Sequence, residues 1–366
     1  MAPSSRSDTA SMTSAESRGA RVFLASFLVL FLEVALIRWM PAYIRLLAYF
    51  SNFILLASFL GIGVGCLLAP SRRRLFLWFP LLQTVVIAAV YFFRLEVAVS
   101  ASGSIYFTSG TVEPQVVVES TMLLPIIFVI IAALFATMAQ RMGKEMAALP
   151  PLRGYTLNLL GSLAGVALFA LISWQQLSPA WWFGVGFAAA VPLLFLGEPD
   201  APPARGGGLV AAVNVALLAV SLLLVYAMAG GSLWSPYYKI TVAQEDEDTV
   251  VEVNNIFHQS MAPVDHKEYF YRWPYMVFGD TFENVLVLGA GSGTDVAAAL
   301  KHGAKHVDAV EIDPVIVRLG REHHPDRPYS DPRVTVVTDD ARHFLRTTNK
   351  TYDLVVFALI DSLTMQ

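Results

Sequence analysis

Apolar residues run through the first two thirds of this 366-residue chain in long blocks, then give way to a finer alternation. A polar, Ser/Ala-rich stretch over residues 1–20 comes first and is expected to be disordered. Seven apolar segments follow, near 21–40, 47–69, 75–97, 121–140, 154–173, 180–197 and 208–230. Each has roughly the 17–25 residues that a helix needs to cross a hydrocarbon core. Long helices of soluble proteins keep a polar face, and these segments mostly lack one. The pattern predicts a multi-pass α-helical membrane domain over 21–233.

From Ser235 the texture changes. SPYYKITVAQ and the following EDEDTVVEVNN alternate polar and apolar positions with β-branched residues, which predicts a small β-hairpin region within 234–282. VLVLG, HVDAVEID, VTVVTDD and YDLVVFALID then read as strands, separated by helical DVAAALKHG, PVIVRLGREHH and ARHFLRTT. That alternation predicts a parallel sheet with helices on both faces, an α/β Rossmann-like domain over 283–366. It stops on an apolar strand with no covering helix, so the domain is expected to be C-terminally truncated.

Composition sharpens the division. The chain is 55% hydrophobic and 15% charged, well under the quarter or so typical of soluble domains. Up to Trp234 there are 13 Lys/Arg against 9 Asp/Glu; after it, 12 against 20, together with all seven histidines. An acidic second part argues against nucleic acid as a partner, because phosphate binding needs a basic footprint. Cys66 is the only cysteine; it sits in an apolar run and is expected to be buried packing.

Charges inside the apolar part carry topology. Arg72, Arg73 and Arg74 fall between the second and third segments, and Arg141, Lys144 and Arg153 between the fourth and fifth. The connections at about 98–120 and 174–179 have no Lys or Arg, so the positive-inside rule places the N-terminus in the cytoplasm. Seven crossings would leave the C-terminal domain outside, where nucleotide cofactors are scarce. A re-entrant or additional segment would return it to the cytoplasmic face. Glu33 and Arg38 lie within the first segment, either on a substrate or proton path or as a structural ion pair. Gly61, Gly63, Gly65, Gly161 and Gly165 suit close helix packing.

The chemistry concentrates at VLVLGAGSGTD, residues 285–295. In a βαβ unit the ligand sits beyond the carboxyl end of the first strand, where glycines let backbone N–H groups approach it. Gly289, Gly291 and Gly293 give G-x-G-x-G; the third glycine of a dinucleotide fingerprint would fall on Thr294, which disfavours NAD. Glu311 ends the second strand, where a carboxylate can accept both hydroxyls of a ribose. Asp339 and Asp340 end the third, where an acid can accept from an adenine amino group. The order is that of an S-adenosylmethionine-type site, although such acids also cap helices. His302, His306, His323 and His324 lack metal-ligand spacing and are expected on the solvated surface; no metal is expected.

These residues resemble the spermidine synthase family of aminopropyltransferases in its membrane-fused bacterial form. SPYYKITV resembles that family's opening strand, and FHQS with YFYRWPY its segment before the glycine loop. The resemblance implies that Gln259 contacts the nucleoside and Tyr271 lines the active site. It makes VLVLGAGSGTD the glycine loop, VEIDP the bearer of the ribose acid, TDDARHFL that of the adenine acid, and YDLVVFALIDS the catalytic segment. Two departures stand out: Ser292 replaces a diamine-holding aspartate, and Ala358 falls where the proton-accepting aspartate is read without a gap. Asp361 is then the remaining candidate base. The resemblance implies a transferase using S-adenosylmethionine or its decarboxylated form, with aminopropyl or methyl transfer to a small acceptor such as an amine. It further implies a bacterial inner membrane protein with a cytoplasmic α/β domain, and a homodimer is compatible. The alternative class is a nucleoside-binding membrane sensor or transporter without catalysis.

Overall fold

The computed structural model describes residues 5–44, 47, 52–93, 95–98, 116–198, 207–245, 248–280 and 282–358. Two compact units result, one reaching Gly230 and one beginning at Gly231. In the first, the helices are α1 (Ser5–Trp39), α2 (Asn52–Leu67), α3 (Phe79–Phe93), α4 (Ser120–Ala147), α5 (Pro151–Trp174), α6 (Pro179–Phe195) and α7 (Gly207–Ala229). A parallel pair, β1 (Leu95–Ala98) and β2 (Val116–Glu119), lies between α3 and α4 in sequence. Ser17–Trp39, Leu75–Phe92, Leu123–Ala147, Pro151–Trp174 and Gly207–Ala229 are long and apolar enough to cross a membrane; α2 and α6 are apolar but shorter. Helix α1 starts well before the apolar run, where the sequence reading expects disorder. No proline or glycine lies between Ser5 and Arg18 to stop a helix from extending backwards.

Helix α1 is the centre of this unit, with Leu28, Phe31, Leu36 and Trp39 buried. Close approach depends on missing side chains. A Cβ on Gly161 would lie 2.3 Å from the Phe23 carbonyl oxygen, and one on Gly61 2.2 Å from that of Ala132. Gly63 faces open space instead. Glu33 and Arg38 find partners on other helices: Ser58 Oγ donates to Glu33 at 2.5 Å, while Arg38 donates to Ser173 and stands over the Trp182 ring. Cys66 is exposed, contrary to expectation, because α2 turns its Gly61 and Gly65 side inward and Cys66 is the next residue round. Arg141 and Lys144 are not loop charges either. They lie within α4 and are buried with Glu145 and Glu198, Arg141 2.7 Å from Glu145 and Lys144 3.0 Å from Glu198.

The second unit opens with an antiparallel meander, β3 (Leu233–Trp234), β4 (Lys239–Glu245), β5 (Asp248–Val253) and β6 (Ile256–Met261). Asn254 and Asn255 turn β5 into β6 with φ of 51° and 62°, the left-handed pair that a two-residue hairpin needs. Strand β6 pairs with β5 and carries Gln259. A parallel sheet follows, in the order β10 (Leu354–Phe357), β7 (Asn284–Leu288), β8 (His306–Glu311), β9 (Val334–Thr338). Its crossovers run through α9 (Thr294–Lys301), α10 (Pro314–His323) and α11 (Ala341–Thr347); α8 (Trp273–Phe278) precedes β7.

Val285 to Leu288 are all fully buried, as a central strand covered on both faces requires. Val285 and Val287 pack with Val296, Ala297 and Ala299, and Leu286 and Leu288 with Val310 and Phe344. Tyr238, Ile240, Val251 and Met261 of the meander pack on Val315, Ile316 and Leu319. That contact seats the antiparallel sheet against the helix after β8, beside the carboxyl ends of the parallel strands.

His324 departs from the solvated surface expected of it. It is buried, and its Nδ1 accepts from the Asp326 N–H at 3.2 Å. Burial holds its pKa down to about 4, against the upward pull of Asp326. An unfolded histidine titrates near about 6.5, so between these values the unfolded state binds more protons. Stability is full above pH 6.5 and falls as pH drops towards 4, by about 3 kcal/mol at most. The protection factors of β8 and β9 amides in the full chain, each taken against the intrinsic exchange rate at that pH, should therefore fall as pH drops across that window. His324→Asn, whose Oδ1 can take the same N–H, should flatten the dependence.

Candidate active site

Strand β7 ends in the glycine loop, whose backbone is turned by φ of 71° at Gly289, 56° at Gly291 and 108° at Gly293. Two of these positions exclude side chains for different reasons. A Cβ on Gly291 would lie 2.6 Å from Gln259 Oε1, and one on Gly293 2.6 Å from Pro328 Cγ. The N–H groups of Gly289 and Ala290 both donate to the Val310 carbonyl. The Gly291 N–H donates to Glu311 Oε2 at 2.9 Å, and its carbonyl accepts the Tyr329 hydroxyl at 2.6 Å. Ser292 is buried, and its N–H and Oγ both donate to Gln259 Oε1, at 3.1 and 3.2 Å. The meander thus grips the loop through one side chain.

Glu311 ends β8 and is buried. Its Oε1 accepts the Asp313 N–H at 2.9 Å and its Oε2 that of Gly291. Burial raises its pKa, with these two N–H groups pulling the other way. A carboxylate has about four lone-pair directions. Two bonds therefore leave room for hydroxyl donors. Asp340 accepts from the N–H groups of Arg342 and His343 and so caps α11, as the capping reading of the sequence expects. Asp339 accepts from the Asp340 N–H at 2.8 Å and meets His343 Nδ1 at 2.7 Å.

These elements enclose a cavity of about 310 Å³. That is at the small end of the range for organic ligands. Gln259, Tyr271, Gly289, Gly291, Glu311, Asp339 and Asp340, all candidates from the sequence, line it. Gly293 stands behind, as the residue before α9 and against Pro328 and Tyr329. Asp361 lies outside the described residues. Ala358 lines the cavity beside the end of β10.

Sequence reading missed three further charged residues of the lining: Lys267, Glu268 and Asp295. The signal for Asp295 was present, since it closes the glycine-loop motif at the first turn of α9. Lys267 donates to Ser260 Oγ at 2.6 Å and stands 5.9 Å from the Tyr271 ring centre. Burial lowers its pKa, against nearby Glu268. The cavity wall therefore carries one lysine against five carboxylates, Glu268, Asp295, Glu311, Asp339 and Asp340. Among the described residues Gln259 Nε2 is buried there without a hydrogen-bond partner, a donor held ready for an acceptor.

Comparison with known proteins identifies the unit. Residues 267–366 match the family described as the spermine/spermidine synthase domain. Residues 267–366 form a spermidine synthase-like domain. Polyamine aminopropyltransferase 1 of Streptomyces coelicolor is 26% identical over 256 residues, covering 62% of this chain and 48% of its own. That alignment is longer than the second unit and reaches into the helices. The polyamine aminopropyltransferase of Hamiltonella defensa is 34% identical over 105 residues, covering 28% of this chain and 33% of its own. The chain thus spans about half or less of these relatives. Among solved structures, spermidine synthase from Thermotoga maritima aligns with a TM-score of 0.29 at 17% identity, over 36% of this chain and 47% of that one.

Proposed function

We propose that the chain is a membrane-bound, spermidine synthase-like aminopropyltransferase, with its catalytic domain on the cytoplasmic face of a bacterial inner membrane. Its donor would be decarboxylated S-adenosylmethionine and its acceptor a small amine. The observation that carries this reading is the single cavity joining the glycine loop, Glu311, Gln259 and Tyr271 under a wall of five carboxylates and one lysine. An acidic cavity complements a cationic donor and a cationic acceptor. The five long apolar helices support the membrane reading, as do exposed Trp174 and Trp181 on either side of the short connection between α5 and α6.

The residues fit such a donor. Glu311 retains lone pairs for ribose hydroxyls, and Gln259 Nε2, without a partner among the described residues, offers a donor at the loop. When bound, the donor supplies an electrophilic carbon beside a sulfonium. The chain orients that carbon against the acceptor, which accounts for most of the rate in this kind of chemistry. A second reading rests on Ala358, an apolar residue of the cavity at the position where the resemblance puts a proton acceptor. It is methyl transfer from S-adenosylmethionine, or nucleoside binding without turnover.

Mass spectrometry on the purified full-length chain in detergent separates these readings. Incubated with decarboxylated S-adenosylmethionine and putrescine, it should form spermidine and methylthioadenosine in equal amounts. Formation of S-adenosylhomocysteine from S-adenosylmethionine instead, or no product from either donor, would contradict the proposal.

A further inference from the structure

The loop residue that the resemblance makes an acceptor-binding acid is Ser292, and it cannot serve. It is buried, absent from the cavity lining, and committed to Gln259. Three residues further on, Asp295 does line the cavity, from the first turn of α9. Among the described residues no other side chain donates to its carboxylate, and no cation lies near enough to offset its burial. Its pKa is pushed up to about 6 by that burial, with only its own N–H pulling back.

The tyrosines show which acids share a neighbourhood. Tyr271, raised to about 12 by burial, lies in the field of Asp295 and then Glu268. Tyr237, raised by burial, lies in that of Asp313, Asp340, Glu311 and Asp339. Glu311 ends β8, and Asp339 and Asp340 follow β9, where the ribose and base acids stand. Asp295 and Glu268 line the same cavity together with Tyr271, and Asp295 also shares the neighbourhood of Tyr329 with Glu311. Lys267 is tied to Ser260 and lies over the Tyr271 ring, so it does not neutralise Asp295. A desolvated carboxylate without a partner is costly, and an ammonium group brought beside it removes that cost.

We propose that Asp295, together with Glu268, binds the ammonium group of the acceptor, so that the loop's acid has moved from position 292 to position 295. The inference rests on the transferase reading above. It makes Asp295 the residue that sets acceptor affinity, while Glu311 and Gln259 hold the donor.

The test separates the two claims by measuring binding as well as turnover. Putrescine is titrated calorimetrically into the full-length chain saturated with methylthioadenosine, for wild type, Asp295→Asn, Asp295→Glu and Glu268→Gln. Asp295→Asn should weaken putrescine at least tenfold, with methylthioadenosine affinity unchanged within twofold, which also shows that the variant folds. Asp295→Glu should recover most of the affinity, and Glu268→Gln should lose several-fold. In turnover the defect should fall on KM for the amine more than on kcat. Wild-type putrescine affinity in Asp295→Asn would overturn the inference while leaving the transferase reading intact. Wild type that binds methylthioadenosine but no amine would overturn it too. Absence of methylthioadenosine binding in the wild type would sink both.

Discussion

Glu311→Gln should weaken nucleoside binding by at least about 100-fold, the largest effect expected of any single substitution in the cavity. The carboxylate takes two backbone N–H groups, from Gly291 and Asp313, and keeps lone pairs for the ligand. An amide offers one oxygen, and its NH₂ must then face one of those two N–H donors. Hydrogen bonds to a charged group contribute about 1.5–3 kcal/mol each. Losing one to the loop and one to the ligand therefore exceeds the roughly 2.7 kcal/mol that a 100-fold change represents. Methylthioadenosine titration of the full-length variant measures it, with thermal unfolding run alongside. An affinity within threefold of wild type would remove Glu311 from the donor site.

Gly293→Ala is the second large effect, and it acts through the loop's shape rather than through any ligand contact. At φ 108° only glycine is comfortable, and a Cβ would press on Pro328 at 2.6 Å and Tyr329 at 3.4 Å. Backbone strain and overpacking each cost about 1–3 kcal/mol. The Tyr329 hydroxyl that fixes the Gly291 carbonyl would be displaced as well. The unfolding transition of the second unit should fall by ~10 °C, taking roughly 3 kcal/mol as the total. Nucleoside affinity should drop at least tenfold. Gly279→Ala serves as the control. Gly279 has φ 88° and nothing within 4 Å of a built Cβ, so strain acts there without overpacking and away from the loop.

The parallel sheet was readable in the sequence because its strands are short β-branched runs, each followed by a helix of different period. The order of Gly289, Glu311 and Asp340 along the chain fixed which strand ends would meet, since ligands gather at the carboxyl ends of such strands. Gln259 was placed by resemblance alone. Its strand, IFHQSM, has no clean alternation, and only the packing of the meander on α10 reveals why it touches the loop. His324 and Asp295 were misjudged or passed over for the same reason: polarity argued for solvent, while the fold turns one into the interior and the other into the cavity. Arg141 and Lys144 failed in the opposite direction. Their charge read as a loop, yet Glu145 and Glu198 provide the counter-charge that lets α4 continue through them. Long-range partners of this kind leave no trace in local periodicity.

The central claim is that the cavity holds the decarboxylated donor. The direct measurement is a competitive binding titration on the full-length chain in detergent with decarboxylated S-adenosylmethionine, S-adenosylmethionine and NAD. The account requires the decarboxylated donor to bind more tightly than S-adenosylmethionine, whose added carboxylate would face the acidic wall, and NAD not to bind at all. Tighter binding of S-adenosylmethionine, or no binding of either sulfonium, would contradict it.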